Sequence, residues 1–174
     1  MKGIIALCSS FVIFIALASA PASAIDANDR DFARKAAVAD LAEIELANLA
    51  KQKAKTDEVR EYAEHLLQDH QQSSEKLKAL ASERNITLPN DLDAKHKAER
   101  DKLAVLDGPE FEKAYIDGMV KGHRRILREY QLQAQKTKDA DIRAFTQEVE
   151  PKLREHLEHA QKLQSLYSSN AKKS

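Results

Sequence analysis

The sequence has little of what usually cross-links or punctuates a chain: one Cys, no Trp, four Gly and four Pro in 174 residues. A lone thiol, Cys8, cannot close a disulfide. So few Gly and Pro, with 43% hydrophobic and 32% charged residues, suit one compact helical domain and leave no room for a second. An excess of charge of one sign is also missing, with 28 basic and 28 acidic residues and no basic cluster. That balance argues against nucleic acid as a partner. No stretch alternates polar and apolar residues as a half-buried strand would, so the class is all-α.

The one long apolar run is at the start. Lys2 precedes the run Gly3 to Leu17, and "ASAPASA" follows, the pattern of a secretory signal peptide cleaved after Ala24. The run is short for a membrane span. A lipoprotein reading of Cys8 is disfavoured by the bulky Leu7 before it. Cleavage removes Cys8 and Lys2, leaving 27 basic against 28 acidic residues in a cysteine-free chain. The mature protein is therefore expected in the periplasm with no membrane span, its domain covering residues 25–168 and a flexible tail covering 169–174.

Helical punctuation then recurs along the chain. A first helix is predicted over Asp29–Lys53. A second follows Thr56, read as its N-cap, with Asp57 and Glu58 in the first turn where the helix dipole favours acids. "NITLPNDL" breaks it, "DAKHKAERDKLAVL" reads as a short charged helix, and Pro109 suits the first turn of a third long helix. The last long helix starts near Asp139. Tight turns make each long pair antiparallel, and the segment from about Asn85 to Gly108 is long enough to travel the length of the bundle. The expected fold is a ferritin-like four-helix bundle: two antiparallel hairpins joined by a long crossover that contains a short helix. An internal repeat supports it, because "QKAKTDEVREYA" from Gln52 aligns with "QKTKDADIRAFT" from Gln135, and "DHQQSSEKLKAL" with "EHLEHAQKLQSL".

Helical periodicity turns four polar residues inward. His70 interrupts the stripe of Val59, Ala63, Leu66, Leu77 and Leu80, and His123 sits among Ile116, Met119, Ile126 and Tyr130. His156 falls between Leu153 and Ala160, and Glu43 lies in the stripe Phe32, Ala36, Ala39, Leu46, Ala50. Counted from a bundle end taken to hold both tight turns, all four sit roughly 12 to 13 positions in, a single layer at about 1.5 Å per residue. The repeat agrees, since both arms of the second hairpin are longer by three. Glu45 would break that match and is the second choice for the carboxylate.

A lone histidine on an apolar face is usually a packed core residue. Four convergent polar groups are harder to bury, at about 1–3 kcal/mol for each unpaired one. A cation would satisfy all four, so Glu43, His70, His123 and His156 are candidate ligands of one divalent transition metal. Three imidazoles and a carboxylate suit Zn(II) or Cu(II) and tolerate Fe(II) or Mn(II). A diiron centre in this fold needs Glu-x-x-His, but Leu67, Val120 and Leu153 stand three before the histidines. Met119 is an additional candidate as a thioether near His123, and His159 as a partner of His156 for a second ion. His65 is read as solvated, His96 as exposed in the crossover, and Pro151 as a kink just before His156.

The chain resembles a family of exported, ferritin-like bacterial proteins grouped under a domain-of-unknown-function heading and often labelled outer-membrane proteins. The resemblance runs from about Asp31 to Leu166 and rests on "LAEIELANLA", the paired motifs "LLQDH" and "MVKGH", "ITLPNDLDAKH", "FEKAYIDGMV" and "PKLREH". It implies a four-helix bundle in the cell envelope and no established reaction. Gly122 stands where the second motif usually has Asp, whereas Asp69 retains it in the first. A bundle with charged outer faces offers nothing to a bilayer.

Three functions follow from these residues. The leading one is metal binding for buffering, sensing or stress protection. The second is a non-enzymatic stress or interaction protein whose polar layer sets helix register, for which His70→Leu would keep or raise stability without metal. The third is a mononuclear redox enzyme, for which neither a base nor a substrate pocket can be read. No catalytic residue is assigned, and a protein partner or homo-oligomer is left open.

Overall fold

A computed structural model describes residues 25–170. The signal peptide assigned to residues 1–24 and residues 171–174 of the tail lie outside the described residues. Among those described there are five helices: α1 (Ala27–Lys53), α2 (Asp57–Glu83), α3 (Ala94–Ala104), α4 (Gly108–Lys136) and α5 (Ala140–Asn170). None is long and apolar enough to cross a membrane.

Short acidic side chains start three of them. Asp26 accepts from the Asp29 N–H at 2.8 Å, Asp93 from the His96 N–H at 2.8 Å, and Asp139 from the Asp141 and Ile142 N–H groups at 2.9 and 3.1 Å. Thr56 departs from this rule. Its side chain makes no cap bond to α2; instead its hydroxyl donates to Glu112 Oε1 at 2.9 Å. The tertiary carboxylate outcompetes the local backbone because it takes two N–H groups from the same turn as well. Past the end of α2, Asn85 adopts φ 54, a left-handed value that Asn tolerates. α5 runs through Pro151 within one continuous helical span.

α1 pairs with α2 and α4 with α5, while α2 packs on α5 and α1 on α4; the short α3 lies against α1 and α4. Two polar clamps show the directions. Buried Glu112, in the first turns of α4, accepts from Lys55 N, Thr56 N and Thr56 Oγ1 in the α1–α2 turn, and from Tyr167 Oη near the end of α5 at 2.7 Å. At the other end Gln133, near the close of α4, donates to Asp29 in the first turn of α1. Hence α2 and α4 are parallel, and the two tight turns sit at opposite ends of the bundle. This corrects the expectation of one shared end. The histidine layer survives the correction because His70, His123 and His156 lie near mid-helix, where counting from either end returns nearly the same depth; Glu43 lies closer to the end of α1.

The core is divided in two. One apolar cluster, around Phe32, Leu77, Tyr130, Ile142 and Phe145, fills the end that holds the α4–α5 turn. The other, around Val59, Tyr62, Leu66, Phe111 and Ile116, fills the end of the α1–α2 turn. Between them lie buried Asp40, Glu43, Asp69, His70, His123 and His156.

Candidate metal centre

His70 comes from α2, His123 from α4 and His156 from α5, and their rings converge. Centroids are 5.8 Å apart for His70 and His123, 5.4 Å for His70 and His156, and 5.3 Å for His123 and His156. One ring nitrogen from each lies within 4.8 Å of the others. Ligands about 2.05 Å from a tetrahedral ion stand roughly 3.4 Å apart, so modest ring rotations separate this arrangement from a coordination triangle.

The hydrogen bonds fix which nitrogen of each ring carries the proton. His70 Nδ1 lies 2.9 Å from Asp40 Oδ1, His123 Nδ1 3.0 Å from the Met119 carbonyl, and His156 Nε2 2.9 Å from Asp69 Oδ2. A carbonyl or carboxylate oxygen only accepts, so each of these nitrogens donates. The lone pairs therefore sit on His70 Nε2, His123 Nε2 and His156 Nδ1. Those three atoms are buried without a hydrogen-bond partner, as is Glu43 Oε2. Glu43, on α1, is 5% exposed and its Oε1 stands 4.0 Å from His123 Nδ1.

Burial, backed by the neighbouring imidazoles, holds His156 down to about 3 against the pull of Asp69. Burial also lowers His123, outweighing the attraction of Glu43. His70 moves the other way: burial pushes it down, but the hydrogen bond and charge of Asp40 outweigh this and raise it. A proton taken up at His70 Nε2 would meet no acceptor there. The layer therefore sets two imidazoles whose protonation burial disfavours beside a third whose protonation Asp40 favours.

The other named residues are dispersed. Glu45 turns outward and pairs with Arg100 at 2.7 Å, so it stays out of the layer. Asp69 takes the anchoring position, holding His156 and also bonding Lys152. His65, read as solvated, is half-buried with Nε2 3.1 Å from Asp69 Oδ2; together with Asp69 and His156 it forms a second group with ligand spacing. His159 instead meets the edge of Tyr62 at 4.9 Å. Met119 is 3% exposed in the core and reaches His123 through its carbonyl. His96, expected to be exposed, is only 12% exposed at its side chain and bonds Asp93. A cavity of ≈ 20 Å³, room for about one water, borders Asp69, His70 and His156.

The residue that sequence reasoning missed is Asp40, 3% exposed on α1. Its signal was present: 36, 40, 43 and 47 follow helical spacing as well as 36, 39, 43 and 46 do.

Comparison with solved structures shows the same fold. A DUF305 fragment from Deinococcus radiodurans superimposes with a TM-score of 0.73 at 11% identity, covering 81% of this chain and 97% of its own. A DUF305 protein of Streptomyces coelicolor, provisionally described as secreted, gives 0.60 at 18% identity, covering 82% and 89%. No curated protein matches the chain. A family model does match, over residues 15–163, and the chain accordingly belongs to the family described as Domain of unknown function (DUF4142).

Proposed function

We propose that this is an exported, periplasmic bundle of ferritin-like connectivity that holds one divalent transition metal in its central layer, as a buffer or sensor of that ion. One observation carries the reading. The three imidazoles each use one nitrogen on a fixed acceptor and leave the other buried and unpaired, beside an equally unpaired Glu43 Oε2. Three buried imidazole lone pairs without a donor, on rings grouped at ligand spacing, are expensive in a core, whereas an oriented imidazole with its far N–H anchored is the usual arrangement of a metal-binding histidine.

The donor set of three nitrogens and one oxygen favours Zn(II) or Cu(II) over the harder ions. Glu43 stands outside the three-histidine group, 4.0 Å from the anchored Nδ1 of His123, so it would have to swing inward to serve as fourth ligand; a site closed in that way suits storage or sensing better than turnover. The secreted description of the Streptomyces relative agrees with export. A second reading is a purely structural polar layer, favoured by the Asp40–His70 and Asp69–His156 bonds.

Native mass spectrometry with elemental analysis decides between them, on protein purified without chelator or affinity tag and then offered Zn(II) and Cu(II). One equivalent in the wild type, lost in His123→Ala, is the expected result. A wild type that stays metal-free with both ions overturns the metal reading.

A further inference from the structure

A cleft of ≈ 440 Å³ opens between α1, α3 and α4, on the side of the layer away from α2 and α5. The crossover builds it by laying α3 across the α1–α4 seam, and α4 keeps it open by presenting glycine. A Cβ at Gly118 would meet nothing within 4 Å, and one at Gly122 would meet only Glu43 Oε1, at 3.6 Å. Leu46, Leu103, Leu106 and Met119 give apolar walls. The volume falls in the range of sites for small organic ligands.

Two features specify the occupant. On the inner wall Tyr115 is 1% exposed and its hydroxyl has no hydrogen-bond partner, beside the unpaired Glu43 Oε2. A buried hydroxyl in that state is free to pair with a polar group that enters the cleft. At the mouth lie exposed Lys95, Lys102, Lys121 and Arg125; Lys95 pairs with Glu99 at 3.9 Å and Arg125 with Glu129 at 3.7 Å, while Lys102 and Lys121 have no carboxylate partner among the described residues. Those cations oppose the entry of a metal ion and attract an anion. The acidic floor at Glu43 keeps an anionic head at the mouth.

We infer that the cleft binds a small amphiphilic acid: a carboxylate held at the mouth by Lys121 and Arg125, an apolar body along the leucine walls, and a hydroxyl at the far end paired with Tyr115. This does not rest on the metal reading, because none of its contacts requires an ion.

The test is calorimetric titration of the metal-free protein with ω-hydroxyalkanoates of six to twelve carbons and with the matching plain alkanoates. One equivalent should bind, with the hydroxylated chain favoured by roughly 2- to 10-fold, the worth of one buried hydrogen bond. Tyr115→Phe should erase that preference, Lys121→Glu should weaken both ligands, and Gly118→Leu should abolish binding while the melting temperature holds. No binding by any chain length, binding unchanged in a folded Gly118→Leu, or equal affinity for hydroxylated and plain chains would overturn the assignment.

Discussion

The Asp40–His70 pair can be tested apart from any metal. Asp40 is 3% exposed, and its Oδ1 is paired with His70 Nδ1 at 2.9 Å while its Oδ2 has no partner. His70→Leu preserves apolar bulk but strips Asp40 of its only donor, leaving a carboxylate in the core. Breaking a buried charged pair from one side costs about 3–5 kcal/mol, whereas replacing both partners by apolar groups of similar shape is often nearly neutral. The structure thus moves the stability-neutral variant of a polar-network reading from His70→Leu to the double variant Asp40→Leu/His70→Leu. At about 2–4 °C per kcal/mol for a domain of this size, the single variant should melt roughly 10 °C below wild type. The double variant should recover most of that loss. Urea unfolding and thermal melts in the presence of EDTA, run as a double-mutant cycle, measure the coupling directly. Additive effects, or a His70→Leu variant as stable as wild type, would show that Asp40 does not depend on His70 and would refute the assigned pairing.

Metal at 100 times its Kd should stabilise the protein by about 2.7 kcal/mol, raising Tm by about 5–11 °C, and calorimetric scans of His123→Ala should show no such rise. Glu112 gives a pH signature: burial pushes its carboxyl up, but the hydrogen bonds from Thr56, Tyr167 and Lys55 outweigh this and hold it below its ordinary range. A lowered native value contributes stability above the unfolded pKa that disappears as pH falls through the native one. Glu112→Gln should therefore cost about 1.5–3 kcal/mol at neutral pH in denaturant titrations, and the gap should close in acid; a gap independent of pH would contradict this. Thr56→Val should cost about 1 kcal/mol and Thr56→Ser almost nothing, because the hydroxyl serves Glu112 rather than a helix cap. Equal losses in the two variants by the same assay would contradict that.

Local periodicity was enough to turn His70, His123 and His156 toward the core, because a helix repeats every 3.6 residues whatever surrounds it. The hairpin repeat likewise preferred Glu43 to Glu45 by requiring the two arms of each hairpin to match in length. The rotation of α1 was less legible. Its buried positions are mostly Ala, and small residues fit against several neighbours, so nothing in the pattern distinguished Ala39 from Asp40. Thr56 and Glu112 lie 56 positions apart, a separation at which no local rule competes with the cap reading.

The sequence by itself determined an all-helical bundle, its long crossover and an inward histidine near the middle of each of three helices, since each depends on spacing along one helix or one turn. Only the tertiary structure decided which nitrogen of each imidazole is anchored, that Asp40 holds His70, that the tight turns lie at opposite ends, and that α3 roofs a cleft beside Glu43. Those features depend on side-chain rotation and on helices meeting across the bundle, relations that separate stretches of chain acquire only when they pack.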